Sequence, residues 1–291
     1  MNHPRHVVRS IQFAEAAHKI QRTSAWDAGE AAFMARMLVQ ATLPHRNPGD
    51  DVREYSRTNG DLTLTIQPGP KRGVPYGPYP RLVLAWITTE AVQTKSRHVS
   101  LGASLSGFMG ELGLIPSGGR WGTITRLRDQ MERLFSSRVA ATYDGPKGYQ
   151  LRSAELATSL DLWWDPKRPD QASAWESTVT LGEVFYAAIT QAPVPLDMRV
   201  LREIKRSPLA LDLYAWLTWR VSHLQKPLFL SWEQLHDQFG AEYKQTKHFA
   251  AEARKELRRL RILWPELHYS TPKGRFVLHP GQPHLPLKAP R

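Results

Sequence analysis

Residues 244–261, with the sequence KQTKHFAAEARKELRRLR, carry a strong periodic pattern that constrains how this part of the chain can fold. The stretch holds seven Lys and Arg against two Glu, an excess of five positive charges. Its apolar residues recur at steps of three and four, and they are Phe249, Ala253, Leu257 and Leu260. A second set with helical spacing consists of Lys247, Ala251, Arg254, Arg258 and Arg261. The pattern predicts a helix that buries one face and presents a basic face to an anionic partner.

The overall charge favours the same kind of partner. The chain has 291 residues and a formal net charge of +12. A basic protein without a membrane segment most often binds nucleic acid, although an inert basic surface or an anionic membrane would suit the same composition. Residues 197–291 contain seventeen Lys and Arg against nine Asp and Glu, so most of the excess charge lies in the last third of the chain. We therefore expect nucleic-acid contacts there.

The sequence also bears on cellular location. No apolar run reaches the roughly 18 residues that a membrane-spanning helix needs. The N-terminal MNHPRHVVRSIQF lacks the apolar core of a secretory signal. Cysteine is absent, which excludes disulfides, thiol catalysis and thiolate metal sites. These features predict a cytoplasmic protein that does not bind membranes.

Motifs for catalysis and metal binding are lacking. There is no GxxxxGK[ST] phosphate-binding loop and no His–hydrophobe–His pair, which disfavours ATP hydrolysis and metal-dependent DNA nicking. The eleven His form no ligand cluster; His3 and His6 lie near the N-terminus, and Asp50–Asp51 is more typical of a turn. We expect no enzymatic activity, no cofactor and no metal site.

A first compact domain is expected over residues 76–196. The predicted helices are Arg81–Lys95, Ser104–Leu112 and one that begins at Thr123, and the short extended segment between the first two is Arg97–Leu101. The extended segments that follow are Arg138–Tyr143, Tyr149–Trp164 and Trp175–Leu181. The order of helix, short strand, helix, turn, helix and hairpin is that of a winged helix-turn-helix.

Residues 197–280 repeat this order without an obvious sequence repeat. The predicted elements are a helix over Ser207–Leu224, a strand over Leu228–Leu230, a helix over Trp232–Phe239 capped by Ser231, and a helix over Gln245–Leu263. A ThrProLysGly turn inside His268–Leu278 predicts a hairpin, or wing, that carries Lys273 and Arg275.

The chain ends differ from these two domains. Residues 1–75 are expected to form a helical arm and linker, with helical periodicity over Ile11–Gln21 and Trp26–Thr42 and a strand over Asp61–Gln67. Pro68–Pro80 is expected to be a linker or an ordered loop, and the Pro-rich residues 281–291 a disordered tail. The predicted fold class is therefore α+β, mainly helical, with two tandem winged-helix domains and a helical N-terminal arm.

The helix that follows the turn of a helix-turn-helix enters the DNA major groove with its N-terminal residues. In the second domain we expect base contacts from Lys244, Gln245, Lys247, His248 and Ala251, and phosphate contacts from Arg254, Lys255, Arg258, Arg259 and Arg261. The wing residues Lys273 and Arg275 would add to these. The alternative is a solvated basic face, held by surface pairs Glu252–Lys255 and Glu256–Arg259.

For the corresponding helix of the first domain, the sequence indicates DNA contact less clearly. Its candidate DNA-contacting residues are Arg120, Thr123, Arg126 and Gln130. A dimerisation or packing helix would explain the same sequence.

Three tryptophans, Trp163, Trp164 and Trp175, flank expected strands. We expect them in the core rather than stacked on unpaired bases, because aromatic residues dominate protein cores.

Three stretches of the chain resemble the RepA-type plasmid replication initiators of bacteria. They are YPRLVLAWITTEAVQTKSRHVSLGASLSGFMGELGL, PSGGRWGTITRLRDQMERLF and TLGEVFYAAITQAPVPLDMRVLREIKRSPLALDLYAWLTWR. The resemblance spans roughly residues 75–265, and it is a pattern of helices and turns rather than a catalytic signature.

The resemblance implies a function in plasmid replication. Such proteins bind repeated double-stranded DNA sites, termed iterons, at a plasmid origin, open adjacent AT-rich DNA, and recruit the host helicase and the host initiator. Many have two winged-helix domains and act as monomers on iterons, whereas homodimers repress. The resemblance implies association with plasmid or nucleoid DNA and assigns no individual binding residue. A winged-helix transcriptional regulator and, with less support, a nucleic-acid-processing enzyme are the alternatives.

Overall fold

A computed structural model describes residues 5–146, 148–240 and 243–286 of the chain. The fold is a mixture of helices and strands. The helices are α1 (Arg5–Arg22), α2 (Arg36–Gln40), α3 (Pro78–Thr94), α4 (Leu105–Glu111), α5 (Thr123–Phe135), α6 (Glu183–Gln191), α7 (Met198–Ile204), α8 (Pro208–Val221), α9 (Trp232–Phe239) and α10 (Thr246–Leu263). The strands are β1 (Ala31–Ala35), β2 (Tyr55–Asn59), β3 (Leu62–Gln67), β4 (His98–Ser100), β5 (Arg138–Gly145), β6 (Gly148–Glu155), β7 (Ala157–Asp161), β8 (Thr178–Leu181), β9 (Pro193–Asp197), β10 (Leu228–Ser231), β11 (Tyr269–Ser270) and β12 (Arg275–Leu278).

The chain divides into two compact units. The central unit is Phe33–Pro193, and the terminal unit combines Met1–Ala32 with Val194–Arg291. This division differs from an N-terminal arm over residues 1–75, because that segment contributes to both units. Its last part supplies β2 and β3 to a sheet of the central unit, and α1 packs on α10, where the Gln21 side-chain amide donates to the carbonyl oxygen of Ile262 at 2.7 Å.

The core of the central unit is built around α3. Pro78 stands in the first turn of this helix, where a missing N–H is tolerated, and residues from Tyr79 to Ala91 are almost all buried. Trp86 meets the edge of Phe108 at a ring distance of 5.0 Å, and Phe108 stacks on Trp164 at 5.3 Å. Such contacts fix α3 and α4 against the segment that follows β7.

Two antiparallel sheets complete the central unit. One has the strand order β2-β3-β5-β6 and the other β4-β8-β7. The predicted hairpin after α5 is therefore divided between the sheets: β5 pairs with β3 on one side and with β6 on the other, while β8 pairs with both β4 and β7.

Several sequence expectations are wrong. The helix expected over Trp26–Thr42 is replaced by β1 and the short α2; every residue of β1 is buried, so its apolar spacing reflects a covered strand rather than one face of a helix. The single strand expected over Tyr149–Trp164 is split into β6 and β7 at Leu156, which is buried and whose N–H donates to the carbonyl oxygen of Ser137 at 3.4 Å.

The terminal unit agrees more closely with the sequence. The Ser207 side chain caps α8, and Ser231 and Gln234 form a reciprocal capping box at the start of α9. β10, β12 and β11 make an antiparallel sheet in which β12 is the central strand. The core contains Trp216, which contacts Phe239 and Phe276 with ring distances of 5.5 and 6.3 Å.

The C-terminal segment, predicted to be disordered from residue 281, is packed in its described part. Leu285 is buried with Ala25 and Ala31, and the Trp26 indole donates to the carbonyl oxygen of Pro286 at 3.0 Å. This apolar burial offsets the cost of ordering a Pro-rich segment. The rest of the predicted tail, residues 287–291, lies outside the described residues, as does His3.

Candidate nucleic-acid interface

α10 buries the apolar face that its sequence predicts. Phe249, Ala253, Leu257 and Leu260 are all buried, and the helix packs against α8 and α9. The opposite sector contains exposed Lys247 and Arg258. The amphipathic pattern therefore correctly identified the helix and both of its faces.

The turn between α9 and α10 positions the start of α10. The His236 ring stacks on Phe249 at 5.3 Å, and its Nε2 lies 2.8 Å from the carbonyl oxygen of Tyr243. Because a carbonyl oxygen only accepts, Nε2 carries the proton. The other ring nitrogen lies 3.2 Å from the Thr246 hydroxyl, which donates to it when the imidazole is neutral.

The N-terminal residues of α10 are available for contacts outside the protein. Gln245 occupies the N-cap position, but its side chain makes no capping hydrogen bond. The exposed side chains here are Lys244, Gln245, Lys247 and His248. Among the described residues, no carboxylate forms an ion pair with either lysine.

Three of the residues predicted to contact phosphates also have partners within the protein. The Arg254 guanidinium carbon lies 4.4 Å from the centre of the Trp232 ring. Lys255 donates to Glu252 at 2.8 Å, and Arg259 donates to the buried Glu256 at 2.6 Å. Both helix-surface pairs of the solvated-face alternative are thus present. The Arg259 guanidinium also lies over the Phe13 ring at 5.5 Å, which joins α10 to α1.

The second half of α10 adjoins the hairpin of β11 and β12. The Arg261 guanidinium carbon lies 5.5 Å from the centre of the Tyr269 ring in β11. Burial raises the pKa of the Tyr269 hydroxyl, while the positive charges of Arg261 and Arg258 act in the opposite direction. The Arg261 guanidinium therefore adjoins the hairpin, and the Arg258 and Arg261 side chains are both exposed.

The hairpin adds two further cations. Lys273 and Arg275 flank Gly274, whose φ of +76° suits glycine in a tight turn. The Arg275 N–H closes the turn by donating to the carbonyl oxygen of Pro272 at 3.1 Å. We call the six exposed cations of α10, of the residues just before it and of the adjoining hairpin the basic face; they are Lys244, Lys247, Arg258, Arg261, Lys273 and Arg275.

Throughout the described ranges, no group of three or more His, Cys, Asp and Glu side chains is placed to hold a metal ion. None of the helices in those ranges is long and apolar enough to cross a membrane.

In the central unit, the predicted contacts on α5 have different environments. Arg120 and Arg126 are exposed; their guanidinium carbons lie 5.1 Å from the Trp121 ring and 5.4 Å from the Tyr79 ring. The Thr123 hydroxyl donates to the carbonyl oxygen of Ile115 at 2.7 Å, so it helps to hold the turn before α5.

The expected exposure of Gln130 is wrong. Only 3% of this residue is accessible, and its side-chain oxygen accepts the Tyr76 N–H at 2.7 Å. Its amide nitrogen donates to Asp129 at 3.0 Å. A polar side chain with both ends bonded in the interior cannot reach DNA without breaking these contacts.

The tryptophan expectations are partly wrong. Trp164 is buried and its indole donates to the carbonyl oxygen of Gly102 at 3.1 Å, but Trp163 and Trp175 are exposed. Trp121, which was not singled out from the sequence, is 76% exposed. A signal was available, since Trp121 stands between Arg120 and Gly122 in the glycine-rich turn SGGRWG.

Comparisons with known proteins identify relatives by sequence and by fold. The family model described as plasmid-encoded RepA protein matches residues 74–234, more than half of the chain. The match confirms the predicted resemblance to RepA-type plasmid replication initiators. It ends before α10, so it assigns no role to the basic face. No curated protein matches the chain.

Two solved structures share the fold. The crystal structure of RctB domains 2 and 3 is 14% identical with a TM-score of 0.53, and the match covers 83% of this chain and 94% of that chain. The crystal structure of selenomethionine derivatives of RctB domains 2 and 3 is 12% identical with a TM-score of 0.56, covering 86% and 96%. At these identities the likeness concerns the fold alone, whereas the family match rests on sequence. The chain belongs to the family of plasmid-encoded RepA proteins.

Proposed function

We propose that this protein initiates plasmid replication by binding repeated double-stranded DNA sites at the plasmid origin, without catalysing a reaction. The observation that carries the DNA-binding step is the basic face, in which six exposed cations lie on α10, just before it and on the adjoining hairpin. Membership in the plasmid-encoded RepA family supports the role in replication.

The proposal includes two winged-helix domains, one in each unit. In the terminal unit the order α8, β10, α9, α10, β11, β12 and the sheet β10-β12-β11 support it. In the central unit the corresponding order is α3, β4, α4, α5, β7, β8, with the sheet β4-β8-β7. There β5 and β6 are an insertion, and β5 pairs with β3.

Each half of α10 has a separate role in this proposal. Gln245, Lys247 and His248 would contact base edges in the major groove, since Lys suits guanine and Gln suits adenine. Arg258 and Arg261 would contact phosphates and fix the register without reading sequence. Lys273 and Arg275 would bind the neighbouring backbone, as a wing does.

The central unit would add a second contact through Arg120 and Arg126 of the α5 region. Gln130 takes no part, because it is buried. Arg254, Lys255 and Arg259 are also left out of the proposed contacts. Arg254 and Arg259 are half-buried and engaged by the Trp232 ring and the Glu256 carboxylate, and Lys255 is paired with Glu252.

As a replication initiator, the protein would act on plasmid DNA in the bacterial cytoplasm. The partners implied by the family are the host helicase, the host initiator and a second copy of this chain. A transformation assay tests the replication step: a plasmid with the origin fragment and this gene should be maintained. Failure with DNA binding intact would instead favour a transcriptional regulator.

DNA binding is tested by titrating the full-length protein with origin DNA across a range of salt concentrations. Neutralising about six phosphates should give a log–log slope near −5, since each contributes about −0.9. Arg258→Ala should flatten the slope by about one and weaken all sequences alike. The matched control is Lys19→Ala, an exposed lysine of α1 that lies outside the basic face. Unchanged binding by Arg258→Ala, or an equal loss in the control, would contradict the proposal.

A further inference from the structure

The turn between α4 and α5 presents an aromatic side chain to solvent. Trp121 is 76% exposed, and Ile115 in the same turn is exposed as well. Leaving a large indole in water forgoes the stabilisation that its burial would bring. Trp121 also lies two residues before α5, the helix that corresponds to α10 in the order of elements.

The turn is held in one conformation by its own hydrogen bonds. The Ser117 N–H donates to the Thr123 hydroxyl at 2.9 Å, and the Thr123 N–H donates to the Ser117 hydroxyl at 3.0 Å. The Thr125 hydroxyl donates to the carbonyl oxygen of Gly119 at 2.9 Å. A Cβ on Gly122 would collide with the carbonyl oxygen of Ser117. The indole is therefore presented by a preorganised turn, which lowers the entropic cost of binding.

The charges around Trp121 favour a nucleic acid. The Arg120 guanidinium carbon lies 5.1 Å from the indole ring, and Arg126 is exposed one turn into α5. Among the described residues, neither arginine forms an ion pair with a carboxylate. An exposed aromatic ring beside unpaired arginines is the combination that binds single strands, where bases stack on the ring and cations bind the phosphates.

The other exposed tryptophan cluster lies in an opposite charge environment. Trp163 and Trp175 lie side by side at a ring distance of 6.4 Å, on a loop where Asp and Glu outnumber Lys and Arg. Residues 161–176 contain four carboxylates, at 161, 165, 170 and 176, against the cations at 167 and 168. Such a surface repels phosphates, so aromatic exposure alone does not select it as a binding site.

We propose that Trp121 is a stacking site for an unpaired nucleic-acid base, with Arg120 and Arg126 binding the flanking phosphates. This inference deepens the proposed DNA-binding function by adding a contact to single-stranded DNA, made by the central unit rather than by α10. If Trp121 stacks on a base, the base itself contributes binding free energy in addition to the attraction between the phosphates and the arginines.

The test measures binding of the full-length protein to two labelled oligonucleotides by fluorescence anisotropy. One is an oligothymidylate of about 15 nucleotides, and the other is an abasic strand of the same length and charge. Trp121→Ala should weaken oligothymidylate binding about tenfold and leave binding of the abasic strand unchanged. Trp121→Phe should retain most of the affinity, because it keeps a ring on which a base can stack. Arg120→Ala should weaken binding of both strands.

Trp175→Ala is the matched control, because Trp175 is 69% exposed but lies on the acidic loop. It should bind both strands like the wild-type protein. The inference is overturned if Trp121→Ala binds oligothymidylate normally, if it loses the same affinity for both strands, or if Trp175→Ala loses as much. Unchanged oligothymidylate binding by Trp121→Ala, together with a flattened duplex salt slope for Arg258→Ala, would reject the stacking site alone. Weakened oligothymidylate binding by Trp121→Ala, together with an unchanged duplex salt slope for Arg258→Ala, would reject the duplex-binding role of α10 alone.

Discussion

The guanidinium carbon of Arg254 lies 4.4 Å from the centre of the Trp232 ring, which joins the middle of α10 to the first residue of α9. Trp232 is buried, and Arg254 is half-buried. This contact fixes how the two helices of the motif meet. An arginine on a basic helix face can therefore serve the fold rather than a ligand.

Arg254→Ala should destabilise the terminal unit by about 1 kcal/mol, the usual size of a partly desolvated cation–π contact. Urea denaturation of the variant and the wild-type protein measures the difference. Arg258→Ala is the matched control on the same face and should change stability by less than about 0.5 kcal/mol. Equal stabilities for the two variants would show that the Trp232 contact contributes nothing.

A larger loss of stability is expected when Arg259 is removed. Glu256 is only 3% exposed and accepts from Arg259 at 2.6 Å. Arg259→Ala would leave a buried carboxylate unpaired, and we expect a loss of about 2 kcal/mol, reduced from the usual cost because Arg259 is partly exposed. Adding Glu256→Gln should recover part of this loss. If denaturation shows no recovery in the double variant, the ion pair is not the cause.

Stability should also fall in mild acid because of His284. Its ring meets Trp264 at 5.4 Å, and the Tyr214 hydroxyl lies 2.8 Å from Nδ1. Burial lowers the pKa of His284, while Asp197 and Glu266 act in the opposite direction. Since the unfolded chain takes up a proton near pH 6.5 and the folded one resists it, stability falls as pH drops below about 6.5.

Chemical denaturation at about pH 7.5 and about pH 5.5 measures this effect. His284→Phe keeps a ring in the site and should show a smaller loss of stability on acidification. The exposed His248→Gln is the control and should retain the wild-type loss. A wild-type pH dependence in His284→Phe would assign the effect to other groups.

The terminal unit was largely predictable because its helices are amphipathic and capped by local sequence. Ser231 and Gln234 are spaced as a capping box, and Phe249 and Leu257 mark one face of α10, so local patterns sufficed. The pairing of β5 with β3 was not predictable, because it joins Leu64 to Ala141, far apart in sequence. Nor was β1, whose uniformly buried residues lack the alternation of a half-exposed strand.

The candidate site was predictable in position but not in detail. Composition and periodicity identified the basic face of α10, and they could not separate Arg258 from Arg254 or Arg259. That distinction depends on Trp232 and Phe13, which approach α10 from other parts of the chain. Gln130 shows the same limit, because the Tyr76 N–H that holds it comes from a distant segment.

Mutations in the two halves of α10 should have different effects on DNA binding. Gln245→Ala and Lys247→Ala remove exposed side chains at the N-terminus of the helix, where base edges would be contacted. Each should reduce discrimination between the origin repeat and single-base variants by about 1–3 kcal/mol at one or two positions. Affinity for unrelated DNA should change little on Gln245→Ala, because no charge is lost. Competition binding with a panel of point-substituted repeats measures the pattern. Arg258→Ala is the counterpart and should weaken every member of the panel by a similar factor. If Gln245→Ala and Arg258→Ala gave the same uniform loss across the panel, the assignment of bases to the first half of α10 and phosphates to the second would be wrong.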